Sequence, residues 1–304
     1  MINMVDMIDD IEKNDEEKNI IYKENKEIKF KKPSLTLNNI ISNDGIPHLE
    51  YINEIWDSFI EKEIFNNYPY ENIISKQNDI TKSMRYILVD WLISLQNKMF
   101  QDLKTLFLAI NLIDRYLTNK QISRDIFQLL GVTALFIASK HEEIYTKNIK
   151  EYADKTDNTY SKEQILEMEK QLVDIINFNF DLPLSIDFFG LLGIIYKFNK
   201  IEFRIGYFLL EAYLLDLDNC KFKQSQIGLA ACYVILGLRK IKNANTIEDN
   251  NFIKYYSDNY QINFDIWKEL ELITGCARDI YKYYEKRDEV EFRSVYYLFH
   301  DLFI

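Results

Sequence analysis

Among the residues able to carry chemistry, Lys140-His141-Glu142-Glu143 stand together within one turn. The histidines, His48, His141 and His300, are dispersed without metal-ligand spacing, so no metal site is expected. Cys220, Cys232 and Cys276 are odd in number and form no CxxC pair, which argues against a zinc site or a disulfide framework and for a reducing compartment. No Gly-rich phosphate loop occurs, and adjacent carboxylates such as Glu142-Glu143 are ordinary in an acidic chain, so neither an enzyme nor a bound cofactor is expected. What remains is recognition. Two charges also stand out, Arg85, isolated on an apolar helix, and Asp114, inside an apolar run. An arginine in such a place needs a carboxylate nearby. Lys23-Glu24-Asn25 spells a KEN tripeptide in a segment rich in these same residues.

Composition narrows the partners. Of 304 residues 47% are hydrophobic, and only 8 are Gly and 4 Pro, which predicts a nearly all-helical chain. A net charge of −11 excludes general binding to a phosphate backbone, so no nucleic acid is expected. No N-terminal signal is seen, and no apolar run reaches the roughly 18–20 residues that span a bilayer, so no membrane association is expected. The basic cluster Lys26–Lys32 reads at best as a weak nuclear-import signal.

Helices must position these groups. The stretch Phe127–Ile144, FQLLGVTALFIASKHEEI, is apolar on nearly every side and then ends in the charged cluster. A helix hydrophobic all round belongs in a core, so this one delivers its charges to a fixed place on the surface. Gly131, Ala134 and Ala138 share one face and predict the close approach of a second helix. Asp79 or Thr81 opens a helix to Phe100 with two apolar faces, which means either full burial or one face for the core and one for a partner. Further helices are predicted at Leu106–Leu117, Ile149–Lys155 and, after Ser161, Lys162–Phe178, where Glu169 stands beside the apolar stripe. Leu49, Ile52, Ile55, Trp56, Phe59 and Ile60 predict a short amphipathic helix outside the main body, and residues 1–46 are expected to be disordered.

The pattern then restarts. At a shift of 97 residues, Ala109, Leu112, Asp114, Tyr116 and Leu117 fall on Gly206, Leu209, Glu211, Tyr213 and Leu214, and Gln128, Gly131 and Ala134 fall on Ser225, Gly228 and Ala231. One offset across two helices and their loop signals a duplicated helical unit of roughly 100 residues. The second copy has Leu238, Arg239 and Lys240 where the charged cluster stands in the first.

At 79–92 the segment DITKSMRYILVDWL resembles the opening of the first cyclin box, and LFLAINLIDRYL (106–117), QLLGVTALFIASKHEEI (128–144) and TDNTYSKEQILEMEKQL (156–172) follow at the family's spacing. Over roughly residues 47–300 the chain resembles the mitotic B-type cyclins, with the A-type second. The resemblance implies an all-α protein of two tandem five-helix cyclin folds with a flanking N-terminal helix. The segments would be 1–46, a helix and linker at 47–75, a first box at 76–182, a second fold at 183–292 and a tail at 293–304.

It also implies a regulatory subunit that activates a cyclin-dependent serine/threonine kinase, acting around G2/M in nucleus and cytoplasm. Lys140 and Glu169 would grip the kinase's movable helix, with Ala138, Ile137, His141, Phe178, Ile55 and Phe59 on the same kinase-binding surface. Met84, Ile87, Leu88, Trp91 and Gln128 would form an exposed patch that docks short motifs of substrates and inhibitors, and Arg85 and Asp114 a structural ion pair. His141 stands where the family has Phe or Tyr, and Ser94 where A-type members carry a carboxylate. No Arg precedes Arg85, so no Arg-x-x-Leu destruction box exists there, and recognition by an anaphase-promoting ubiquitin ligase would rest on Lys23-Glu24-Asn25. The alternatives are a transcription-factor-like adaptor and a scaffold that binds a kinase without activating it.

Overall fold

A computed structural model describes residues 51–66, 73–217, 221–242, 275–277, 279–280 and 282. Residues 73–180 belong to one compact unit; residues 51–66 and those from 181 onward belong to another. Every regular element among the described residues is helical. Lys23-Glu24-Asn25, the 1–46 segment, the Lys26–Lys32 cluster, His48, Cys220, His300 and the 293–304 tail lie outside the described residues.

In the second unit α1 spans Ile52–Asn66, and in the first unit α2 spans Lys82–Lys98 and α3 Leu103–Asn119. A turn of 3-10 helix at Arg124–Ile126 leads into α4, Phe127–Glu142, followed by α5, Ile149–Lys155, and α6, Lys162–Ile175. Local chemistry sets the starts. Thr81 accepts from Met84 N at 3.3 Å and Asp102 from Lys104 N at 2.8 Å, while Asn148 with Glu151 and Ser161 with Gln164 close capping boxes. α4 is the axis: every residue from Phe127 to Ser139 is buried, and α2, α3, α5 and α6 all pack on it. Gly131 makes this possible, since a β-carbon there would lie 2.6 Å from Leu88 Cδ1 of α2.

α6 stops at Ile175, short of the expected Phe178, because Asn177 and Phe178 turn into the left-handed region at φ 52° and 56°. Buried Arg115 of α3 satisfies the freed carbonyls, donating to Ile176 O at 3.1 Å and Asn179 O at 2.7 Å.

The second unit contains α7, Ser185–Ile195, α8, Lys200–Leu215, and α9, Gln224–Lys242. Here α1 does not stand outside a main body, as its amphipathic pattern suggested; it packs on α7 and α9. Buried Trp56 meets the Phe188 ring edge-on at 5.5 Å, and Phe59 meets it at 5.4 Å. Glu63 accepts from Ser225 N at 2.9 Å and Ser225 Oγ at 2.6 Å, capping the first turn of α9 from another helix. The duplication is visible at Gly228, 97 residues beyond Gly131, where a β-carbon would lie 2.6 Å from Phe188 Cβ and 2.9 Å from Ser185 O of α7. Each copy thus crosses two helices over a glycine at the same register.

Candidate partner-binding site

The last turn of α4 carries Lys140, whose Nζ forms an ion pair with Glu169 Oε1 in the middle of α6. The same Nζ lies 4.3 Å from the centroid of the Phe136 ring, in cation–π range. Beneath it the helix end is braced. Phe136 packs on Tyr152 at 5.1 Å, and Tyr152 donates its hydroxyl to Ser139 Oγ at 2.7 Å while accepting from Gln101 Nε2 at 2.7 Å. Burial pushes the Tyr152 hydroxyl up to about 12, so it stays a donor at any physiological pH.

The neighbouring charges are committed as well. Glu142 Oε2 lies 3.6 Å from Lys104 Nζ, and Glu142 Oε1 lies 2.9 Å from His141 Nδ1. Glu143 accepts from Asp102 N at 2.7 Å and Thr105 Oγ1 at 2.6 Å, which staples the chain leaving α4 to the first turn of α3. A partly exposed ion pair is worth only ~0–1 kcal/mol to folding. The Lys140–Glu169 pair therefore contributes little to the stability of this unit.

Directly after this turn come apolar side chains that water should not favour, Ile144 at 86% exposed and Tyr145 at 89%, and Phe178, two residues before the Phe180 that packs on His141, is 71% exposed. Ile144 and Tyr145 are not singled out by the sequence reading. Their signal was two large apolar residues directly after a charged turn, outside any helical stripe.

Several expected surface residues sit elsewhere. Ile137 and Ala138 are buried and do not reach the surface; their role is to let α4 pass through the core. Met84, Leu88 and Gln128 are also buried, so the expected exposed strip is not formed by them. Leu88 is drawn inward because it fills the space above Gly131. Ile87 and Trp91, one turn apart on α2, are the partly exposed members. Ile55 and Phe59 are half-buried on α1 in the second unit.

Arg85 and Asp114 meet as expected. Arg85 Nε donates to Asp114 Oδ1 and Nη2 to Oδ2, both at 2.8 Å, tying α2 to α3 inside the first unit. Among the described residues no group of three or more His, Cys, Asp or Glu is placed to hold a metal ion, and no helix is long and apolar enough to cross a membrane.

This helical unit, wrapped around one buried helix that ends in a charged turn, has relatives. Residues 54–181 match the family described as the cyclin N-terminal domain. The chain is 35% identical to the G2/mitotic-specific cyclin-B of Emericella nidulans over 191 residues, 63% of this chain and 40% of that protein. It is 33% identical to that of Spisula solidissima over 205 residues, 66% of this chain and 47% of that protein. The chain thus spans less than half the length of the curated relatives it matches. In fold it is similar to a viral cyclin from herpesvirus saimiri, with a TM-score of 0.61 at 18% identity over 81% of this chain and 99% of that one. The yeast RNA Pol II CTD kinase CTDK-1 complex contains a chain similar in fold at a TM-score of 0.51 and 12% identity, covering 77% of this chain and 73% of that one. Through residues 54–181 the protein is similar to the cyclin family. Within that family it resembles the mitotic B-type members.

Proposed function

We propose that this chain is the regulatory subunit of a cyclin-dependent serine/threonine kinase and controls the G2/M step of the cell cycle. One observation carries the reading: the Lys140–Glu169 pair at the end of a buried helix, followed by exposed Ile144 and Tyr145. A lysine donor and a glutamate acceptor held in register suit the two ends of a backbone segment, and exposed apolar side chains supply the area that a partner would bury. The chain itself performs no catalysis in this reading. The kinase provides the catalytic lysine, its glutamate partner and the metal ions. The chain provides differential binding, roughly 5.5 kcal/mol if it moves a kinase from 1:99 to 99:1 in favour of the active arrangement.

Short docking motifs of substrates or inhibitors would engage the Ile87–Trp91 edge of α2, and Lys23-Glu24-Asn25 would serve an anaphase-promoting ubiquitin ligase. The working places are nucleus and cytoplasm. The test is to co-purify the chain with the kinases of its host and to measure phosphorylation of a histone-type substrate with and without it. Capture of a kinase whose activity rises on binding supports the reading, and capture without activation marks a scaffold instead.

A further inference from the structure

On the same turn of α4 one polar atom is held in place and left unused. His141 Nδ1 lies 2.9 Å from Glu142 Oε1, and the His141 ring rests on Phe180 with centroids 5.5 Å apart and planes tilted by 32°. Two contacts in different directions set both the position and the rotation of the ring. Glu142 is anchored in turn by Lys104 of α3. A carboxylate only accepts hydrogen bonds. In the neutral ring Glu142 therefore favours the tautomer that carries its proton on Nδ1, which leaves Nε2 as an acceptor. Nε2 has no hydrogen-bond partner among the described residues, and the His141 side chain is 41% exposed. A ring that merely filled space would need neither the carboxylate brace nor a free nitrogen at its open edge.

We propose that His141 Nε2 is a recognition atom: it accepts a hydrogen bond from an N–H or O–H donor on the kinase surface that covers Lys140. The site is then specific for a kinase that offers such a donor. This inference rests on the function proposed above. It makes His141 a specificity-determining residue, distinct from the Lys140–Glu169 pair, because it acts through one directional bond rather than through charge.

Two substitutions separate this from simple packing. His141→Phe keeps a flat ring on Phe180 and removes both nitrogens. His141→Gln gives up the ring and retains a carbonyl oxygen close to the place of Nε2. The wild-type chain and both variants are titrated against the kinase that the wild type captures, with thermal melts as a control for folding. H141F should weaken binding about tenfold, as for one lost interface hydrogen bond, and H141Q should bind more tightly than H141F. H141F binding as well as the wild type, with H141Q the weaker variant, would overturn the inference and leave the proposed function standing. A wild-type chain that captures no kinase would overturn both.

Discussion

Arg85 grips Asp114 through two parallel hydrogen bonds, with side chains only 2% and 8% exposed, so the pair is a charged joint inside an otherwise apolar contact of α2 with α3. Removing one member leaves the other charged and buried, which typically costs ~3–5 kcal/mol. Arg85→Ala should therefore lower the melting temperature of the first unit by at least about 10 °C. The double variant Arg85→Met with Asp114→Leu should recover much of that loss, because it leaves no unpaired charge. Circular-dichroism melts of the three proteins check this, and an Arg85→Ala melt within a degree or two of wild type would contradict it.

The duplication keeps the carboxylate and loses its partner. At the 97-residue offset Asp114 becomes Glu211, and Arg85 becomes buried Leu182. Glu211 is buried, its Oε2 has no hydrogen-bond partner among the described residues, and burial pushes its carboxyl from the usual carboxylate range up to about 8. A carboxyl raised on folding holds a proton that the unfolded chain has released. The stability that this group contributes to the second unit should then be full at and below the ordinary carboxylate value and be lost as pH rises from ~4.5 to 8. Glu211→Gln should flatten that slope and raise the melting temperature most at pH 8. Parallel curves for wild type and variant between pH 5 and 8.5 would count against it.

Glycines in the second unit divide by what lies above them. A β-carbon on Gly206 of α8 would sit 1.9 Å from Phe189 Cζ, within the aromatic group that Phe189 forms with Phe198, Phe203 and Tyr207. A β-carbon on Gly190 of α7 would meet nothing within 4 Å. Gly206→Ala should destabilise by ~1–3 kcal/mol through overpacking. Gly190→Ala should stabilise by ~0.4–1 kcal/mol through lost freedom of the unfolded chain. Denaturant melts give both signs, and a common sign would refute the distinction.

Trp91 is the largest side chain on the partly exposed edge of α2, with Ile87 one turn before it. Trp91→Ala should lower phosphorylation of substrates that carry a docking motif and spare those that lack one. Equal loss for both kinds of substrate would point to folding instead.

Much of this was legible in the sequence, and the exceptions share a cause. The all-round apolarity of Phe127–Ser139, the small face at Gly131 and the restart at 97 residues are local or periodic signals, and all three survive in the fold. Periodicity did not say which of two apolar edges of α2 would be covered; that depends on Leu88 filling the gap over Gly131. The end of α6 depends on Arg115, 61 and 64 residues before the carbonyls it satisfies. The seat of α1 depends on Glu63 reaching Ser225, 162 residues on. Such contacts leave no mark in a window of neighbouring residues.

The central claim is that Lys140 and Glu169 together hold a kinase in its active arrangement. The most direct measurement is kinase activation by Lys140→Ala and by Glu169→Ala, each at saturating concentration and each checked for an unchanged melt. Because the pair is partly exposed and contributes little to folding, both variants should fold as the wild type does. Both should fail to raise phosphorylation of a histone-type substrate above the level of the kinase alone. Full activation by both variants would contradict the account.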